Sequence, residues 1–244
     1  MRLSVLWGAL FALVVTISSG MAFAATDDKA AADDKGGTPK AVDLIFEHKH
    51  LSNVEKGKEV DYNFNRTATD PALLGQPFSD KITLKVVAAK PTGEKDVDLQ
   101  IYTGERARDL QSLPGLTINP VFIVYFDQAV SSFSNLAGGK LAYLRNAFSL
   151  ALRDKTKVEP IKVDYKGKQI DAYRITMSPY VDDDHAAKMQ GWEDAQYELV
   201  LSDQVPGEIV DLVSTYKNKF KGNEKLKLEE RITLDGITGL EGVK

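Results

Sequence analysis

The sequence predicts an α+β protein in which a helical insertion covers the concave face of a curved, half-barrel-like antiparallel sheet of about eight or nine strands. Two patterns predict this fold. Apolar and polar residues alternate along short segments in both halves of the chain, and a segment near the middle has apolar residues every three or four positions. The first pattern is typical of strands with one buried face, and the second is typical of a helix.

The alternating segments fall into two groups. Residues 60–64, 82–86 and 97–101 precede the helical region. A second group follows it, made up of residues 161–165, 173–177, 197–201, 210–216 and 226–234. The short connections between neighbouring segments favour antiparallel pairing within each group.

The helical region begins with Asn119, a good N-cap, and with Pro120, which suits the first turn of a helix. The pair Gly138-Gly139 predicts its end. An apolar pattern over residues 141–152 predicts a second helix, and a shorter third helix is expected from residue 183 to 192. The first of these helices carries a largely aromatic stripe, which comprises Phe122, Tyr125, Phe126, Val130 and Phe133.

This stripe must be covered, because burying a side chain of the size of Phe stabilises a protein by roughly 1.5 to 3 kcal/mol. Two interpretations are open. The stripe packs against the sheet as ordinary core, or it encloses with the sheet a cavity for an acyl chain or another apolar ligand. In the second case the candidate lining is Phe122, Tyr125, Phe126, Val130 and Phe133, together with Phe148 from the second helix.

The first 24 residues have the pattern of a secretory signal peptide, with an early Arg2, an apolar run shorter than a membrane span, and small residues at Ala22 and Ala24. Residues 25–40 contain no apolar residue larger than alanine, so we expect a flexible leader there. A single α+β domain is expected over residues 41–244. The sequence therefore predicts export, with cleavage after Ala24 and a periplasmic location.

Composition argues against several classes of protein. The sequence has no cysteine, which excludes disulfides, and no apolar run after residue 24 is long enough to span a membrane. A formal net charge of -4 and an exported location argue against nucleic-acid binding. No glycine-rich phosphate loop and no nucleophile motif occurs, so we expect neither a cofactor nor catalysis.

Two segments carry a resemblance to known proteins, HLSNVEKGKEVDYNFNR at residues 50–66 and YELVLSDQVPG at residues 197–207. With the order of strands, helical insertion and further strands, they resemble uncharacterised proteobacterial envelope proteins. That order is also similar to the half-barrel folds of periplasmic lipoprotein carriers of the LolA/LolB type. The resemblance implies a fold and a lipid-handling role, but it transfers no site residue, because such carriers bind through a diffuse apolar surface.

Two sets of polar residues are further candidates. Alternation puts Arg66 and Glu230 on the apolar faces of the first and last strands, where they would form an interior ion pair, or where Arg66 would receive an anionic headgroup. Alternatively, both lie in water at the ends of their strands. His48 and His50 would share one face of a strand, and with His185 they are candidate metal ligands.

These observations favour a periplasmic protein that binds an apolar or amphipathic, lipid-like ligand of the envelope without catalysis. One alternative is an envelope interaction or scaffold protein, with a filled core and a protein partner. Another is an unrecognised metalloprotein or hydrolase that uses the three histidines.

Overall fold

The computed structural model describes residues 37–220 and 222–238. The predicted signal peptide, residues 1–24, and most of the predicted leader, residues 25–36, lie outside this described part. Residues 37–40 have no regular secondary structure, and the first helical turn begins at Ala41. Among the described residues, no helix combines the length and the apolar character that a membrane span requires.

One antiparallel sheet contains every strand of the described chain, in the order β10-β5-β6-β7-β8-β9-β1-β2-β3-β4. The sheet is curved and open, with β10 and β4 at its ends. The structure therefore confirms the predicted α+β class. The strands are β1 (Glu59–Ala68), β2 (Phe78–Ala89), β3 (Lys95–Ile101), β4 (Gln111–Leu116), β5 (Lys157–Tyr165), β6 (Lys168–Met177), β7 (Gln196–Leu201), β8 (Ile209–Lys217), β9 (Lys227–Leu234) and β10 (Ile237–Thr238).

The helices are α1 (Pro71–Leu74), α2 (Val121–Ala137) and α3 (Leu141–Asp154), and single helical turns occur at Asp43–Glu47, Gly104–Arg106 and Ala186–Lys188. The two long helices, α2 and α3, lie where the sequence predicts them, whereas α1 and two of the short helical turns were not predicted. The Asn119 side chain accepts a hydrogen bond from the Val121 amide at 3.1 Å, and Gly138 ends α2 with a positive φ of 75°.

The predicted third helix over residues 183–192 is wrong. Only Ala186–Lys188 forms a helical turn, and the rest of this segment consists of turns. The Asp183 carboxylate accepts from the His185 amide at 2.8 Å, and the Asp183 carbonyl accepts from the Ala186 amide at 2.9 Å. The local hydrogen bonds of Asp183 therefore favour a turn over a continuous helix.

Strand β1 joins the two groups of strands, because it pairs with β2 on one side and with β9 on the other. The helices α2 and α3 pack together, and α2 also packs against β8. We call the face of the sheet that α2 covers the inner face. Its buried side chains include Tyr62, Phe64, Tyr197 and Tyr216. The core thus lies between this face and the two long helices.

Candidate ligand-binding site

Six aromatic side chains form a continuous series between the helices and the inner face of the sheet. The phenylalanines come from the helical turn Asp43–Glu47 and from α2 and α3, whereas the tyrosines come from β7 and β8. We call this series the aromatic layer; it consists of Phe46, Phe122, Phe126, Phe148, Tyr197 and Tyr216.

Successive rings of the aromatic layer are in contact. Phe126 lies 6.1 Å from Phe122 and 5.6 Å from Phe148 between ring centroids. Phe148 then meets Tyr197 edge-on at 4.9 Å, and Tyr197 meets Tyr216 at 6.0 Å. These distances are in the range in which aromatic pairs attract one another beyond simple burial. The layer is therefore packed from ring to ring.

The layer extends from the protein surface to the interior. Phe46, whose ring centroid is 6.5 Å from that of Phe126, is 48% exposed. Phe126 is half-buried, whereas Phe122 and Phe148 are buried. The layer therefore has one half-exposed ring at the protein surface, Phe46, and closely packed rings behind it.

The remaining predicted stripe residues lie beside this path. Tyr125 is buried next to Phe126, with ring centroids 5.6 Å apart, and Val130 is also buried. Phe133 stacks on Tyr180 with a centroid separation of 3.9 Å, towards the other end of α2. The structure thus brings Phe122, Phe126 and Phe148 into one series and places Phe133 in a second contact.

Two tyrosines tie α2 to β8 in a reciprocal manner. The Tyr125 hydroxyl of α2 donates to the Val213 carbonyl of β8 at 2.6 Å, and the Tyr216 hydroxyl of β8 donates to the Ala129 carbonyl of α2 at 3.0 Å. Burial raises the pKa of both phenols, so they remain protonated donors at neutral pH. Helix α2 is therefore fixed on the side of β8.

Arg66 and Glu230 form an ion pair at the junction of the first and last long strands. They are direct partners in the β1–β9 register, and Arg66 Nη1 donates to Glu230 Oε1. Gln128 Nε2 of α2 donates to the same oxygen at 3.0 Å, and Arg66 Nη2 donates to the Leu74 carbonyl at 2.7 Å. Glu230 is buried, so the pair connects β1, β9 and α2 within the core.

The three histidines do not form one cluster. His48 and His50 lie close together, with ring centroids 6.2 Å apart, but their segment is not the strand that the sequence predicts. It follows the helical turn Asp43–Glu47 directly, and a hydrogen bond from the Ser52 amide to the Lys49 carbonyl at 2.8 Å continues the turn. His185 lies against Tyr143 instead, with Nδ1 3.0 Å from the hydroxyl. Residues 37–220 and 222–238 contain no group of three or more acidic or histidine side chains placed to hold a metal ion.

Two clefts lie on other parts of the described surface. A cleft of about 370 Å³ lies beside His48 and Glu208, and one of about 670 Å³ lies at the ends of strands β5 to β9. None of the six predicted lining residues contributes to either cleft. Five of the six residues are buried and Phe126 is half-buried, so other side chains of the protein cover most of the stripe.

Three members of the aromatic layer are absent from the sequence-based prediction. Tyr197 and Tyr216 occupy apolar positions of predicted strands, but that they meet Phe148 depends on the order of strands in the sheet. Phe46 is the aromatic residue of the segment DLIFE, just after the predicted leader. The signal that could have identified Phe46 is an aromatic residue close to the start of the predicted domain, only a few residues after the polar leader.

No family model and no curated protein matches the sequence. The fold has a weak similarity to two solved structures. The lipoprotein LppX of Mycobacterium tuberculosis is 10% identical, with a TM-score of 0.29 over 84% of this chain and 96% of that chain. A DUF1329 family protein from Desulfovibrio piger is 10% identical, with a TM-score of 0.23 over 84% of this chain and 93% of that chain.

Proposed function

We propose that the protein is exported to the periplasm and binds an apolar or amphipathic, lipid-like ligand of the cell envelope without catalysis. The observation that carries this proposal is the course of the aromatic layer, which runs from the half-exposed Phe46 to the buried Phe148 and Tyr197. The ligand's apolar portion lies along Phe122, Phe126 and Phe148, and each ring contributes contact area.

The contacts that fix α2 indicate where a ligand enters the protein. The tyrosine hydrogen bonds hold α2 to β8, so this side cannot open without breaking both of them. Phe46, by contrast, meets Phe126 only through a ring contact among the contacts described, and Phe46 is half-exposed. The ligand therefore enters between the helical turn Asp43–Glu47 and α2, and displaces the Phe46 ring.

The Arg66–Glu230 pair has a structural role in this proposal. Arg66 Nη1 already donates a hydrogen bond to Glu230 Oε1, and Arg66 Nη2 donates one to the Leu74 carbonyl. An anionic headgroup would have to compete with both acceptors. The pair therefore holds β1, β9 and α2 together beneath the ligand.

A second candidate function is that of an envelope interaction protein whose interior is filled by its own side chains. The ring-to-ring packing of the aromatic layer favours it, because the stripe already has protein partners. In this case the exposed Phe46 and Ile123, which is 59% exposed, contact a protein partner.

Native mass spectrometry of the protein purified from periplasm, with lipid analysis of any released mass, tests the first candidate. Uptake of a fluorescent fatty acid by the delipidated protein is the second measurement. We expect a bound mass in the lipid range. We also expect Phe46→Ala and Phe126→Ala each to weaken fatty-acid binding by about tenfold, because each variant loses the apolar contact area of one aromatic ring.

Phe78→Ala is the matched control. Phe78 is also half-buried and aromatic, but it packs against Phe64 and Tyr102 at the β2–β3 side of the sheet. Its substitution should leave uptake unchanged. A protein that carries no lipid and takes up no fatty acid would contradict ligand binding and would favour the interaction protein.

A further inference from the structure

The cleft beside His48 is built from three parts of the chain that are distant in sequence. Leu44 and His48 come from the helical turn Asp43–Glu47 and the residue after it, and the hairpin of β5 and β6 forms a second wall. The third wall is the loop from Ser202 to Glu208 between β7 and β8. The cleft measures about 370 Å³, which is in the range of small-molecule sites.

A hydrogen-bonded pair of side chains forms the polar end of the cleft. His48 Nδ1 lies 3.0 Å from Glu208 Oε2. A carboxylate only accepts, so Nδ1 carries the proton of this hydrogen bond. Burial lowers the pKa of the neighbouring His50, which therefore adds no positive charge near Glu208 at neutral pH.

The loop holds Glu208 in a strained and fixed position. Glu208 is 7% exposed and has a φ of 61°, which is uncommon for a residue other than glycine. Asn53 fixes the preceding turn, since its Nδ2 donates to the Val205 carbonyl at 2.7 Å and its Oδ1 accepts from the Gly207 amide at 3.0 Å. Asn119 Nδ2 donates to the Gly207 carbonyl at 2.8 Å. Such a preorganised, strained carboxylate is typical of a binding position.

The lining of the cleft offers many acceptors and no cationic donor. Within the described chain, neither lysine nor arginine contributes to it. Lys162 offsets the charge of Asp171 at 2.5 Å, whereas no lysine or arginine pairs with Asp203 or Glu208 in the described part of the chain. The lining also includes apolar side chains, among them Leu44, Ile161 and Leu201.

We propose that this cleft is a second ligand site, which binds an organic ammonium ion with a short aliphatic portion. The ammonium group donates to the Glu208 carboxylate, and the Asp203 carboxylate adds a second negative charge at the rim. The aliphatic portion packs on Leu44, Ile161 and Leu201. This site is distinct from the aromatic layer, and the proposal does not depend on the lipid-like ligand.

Isothermal titration calorimetry at pH 7.5 with three probes of equal chain length tests the charge preference. The probes are n-hexylammonium, hexanol and hexanoate. We expect hexylammonium to bind most tightly and hexanoate least. Equal affinity for hexylammonium and hexanol, or no hexylammonium binding up to a concentration on the order of 10 mM, would overturn the proposal.

Variants locate the binding to the cleft. Glu208→Gln retains the shape of the side chain and should weaken hexylammonium binding by about tenfold or more, because a hydrogen bond to a charged group is lost. Asp203→Asn, at an exposed position that does not endanger folding, should weaken it severalfold. Glu55→Gln removes an exposed carboxylate outside the cleft and should have no effect. If neither cleft variant weakens binding, the ammonium group does not bind there.

Discussion

At the scale of single residues, Gly207 is the point where four segments of the chain meet. Its carbonyl accepts from Asn119, and its amide donates to Asn53. Asn119 Nδ2 also lies 2.8 Å from the Tyr62 hydroxyl. A Cβ atom at residue 207 would lie 2.8 Å from Asn119 Nδ2 and 2.9 Å from the Tyr62 hydroxyl oxygen. Only glycine fits this position without displacing a buried side chain.

Gly207→Ala should therefore destabilise the protein by more than the cost of its backbone conformation alone. The matched control is Gly57→Ala, because Gly57 has a similar φ of 84° but a Cβ added there would have no atom within 4 Å. Both variants incur about 1 kcal/mol for a left-handed alanine, and only Gly207→Ala adds the steric conflict. Urea unfolding measures both free energies. Equal decreases in the free energy of unfolding for the two variants would show that the close contacts at Gly207 do not contribute to stability.

The Arg66–Glu230 pair makes a second prediction at this scale. Arg66→Met leaves the buried Glu230 with Gln128 as its remaining side-chain partner, and its Oε2 already has no partner in the described part of the chain. We expect a loss of about 3 to 5 kcal/mol in the free energy of unfolding. The double variant Arg66→Met with Glu230→Met should recover most of this loss, since no charge is then left buried. Urea unfolding of both variants is the measurement, and additive losses would contradict the pairing.

Sequence reasoning reaches some of these residues and misses others for a physical reason. Arg66 and Glu230 could be assigned to the apolar faces of their strands, because side chains alternate between the two faces of a strand and this alternation is visible in the local sequence. Sequence reasoning also gives Asn119 the role of a helix cap, which it has, but not its bonds to Tyr62 and Gly207. Glu208 could not be paired with His48, because 160 residues separate them and only the complete fold brings them together.

At the scale of secondary-structure elements, the two tyrosine hydrogen bonds define how α2 sits on β8. Tyr125→Phe and Tyr216→Phe each remove one hydroxyl and leave one carbonyl without this donor. Each should lower the free energy of unfolding by about 1 to 3 kcal/mol. Chemical denaturation measures the losses. Tyr143→Phe is the control, because that hydroxyl is exposed and bonds to Asp183 at the surface; a loss of equal size there would argue against the role of the buried ties.

The helical turn Asp43–Glu47 depends on His50, which packs on Phe122 and whose Nε2 donates to the Leu44 carbonyl at 2.8 Å. Burial lowers the pKa of His50 below the 6.5 of an exposed histidine. Below about pH 6.5 the unfolded chain therefore binds a proton that the folded protein does not bind. This contribution to stability is complete at higher pH, and it falls as the pH drops from 6.5 towards the pKa of the folded state.

We expect His50→Gln to remove this part of the acid sensitivity. Thermal unfolding between pH 7.5 and 5 should show a smaller decline in melting temperature for His50→Gln than for the wild type. His185→Gln, at an exposed histidine, should retain the wild-type decline. Parallel pH profiles for wild type and His50→Gln would mean that His50 does not take part.

Elements with strong periodic patterns are predicted well from this sequence, and irregular ones are not. The limits of α2 follow from Asn119 and the Gly138-Gly139 pair. Strand β4 is missed because Pro114 and Gly115 interrupt its pattern, which is tolerated only because β4 is the edge of the sheet. Strand β10 has two residues, too few for any period to be recognised.

At the scale of the whole molecule, the sheet has a centre and two margins. Strands β8, β9 and β1 are adjacent at its middle, whereas β4 and β10 each have one neighbour in the described chain. Hydrogen exchange followed by mass spectrometry should therefore find the slowest amides in β8, β9 and β1 and the fastest strand amides in β4 and β10. Protection of β4 equal to that of β9 would indicate that another segment or molecule covers this edge.

The fold class was predictable from the spacing of apolar residues, because both groups of strands and the helical insertion have a recognisable local pattern in the sequence. The strand order was not. The alternation of apolar and polar residues over 60–64 indicates a strand with one buried face, but it does not predict that β9 is the neighbouring strand. The aromatic layer shows the same limit, since the sequence indicates its members on α2 and α3, whereas the contacts of its two tyrosines depend on the order of β7 and β8.

The pairing of β1 with β9 also has a consequence for synthesis of the protein. A ribosome makes β1 among the first elements and β9 among the last, and Arg66 is added 164 residues before Glu230. In a chain without β9, β1 has a neighbour on one side only, and the Arg66 guanidinium faces an unfinished core. The middle of the sheet is thus the last part that can close, and a chain that lacks its C-terminal strands would keep an open edge at its centre, where aggregation begins.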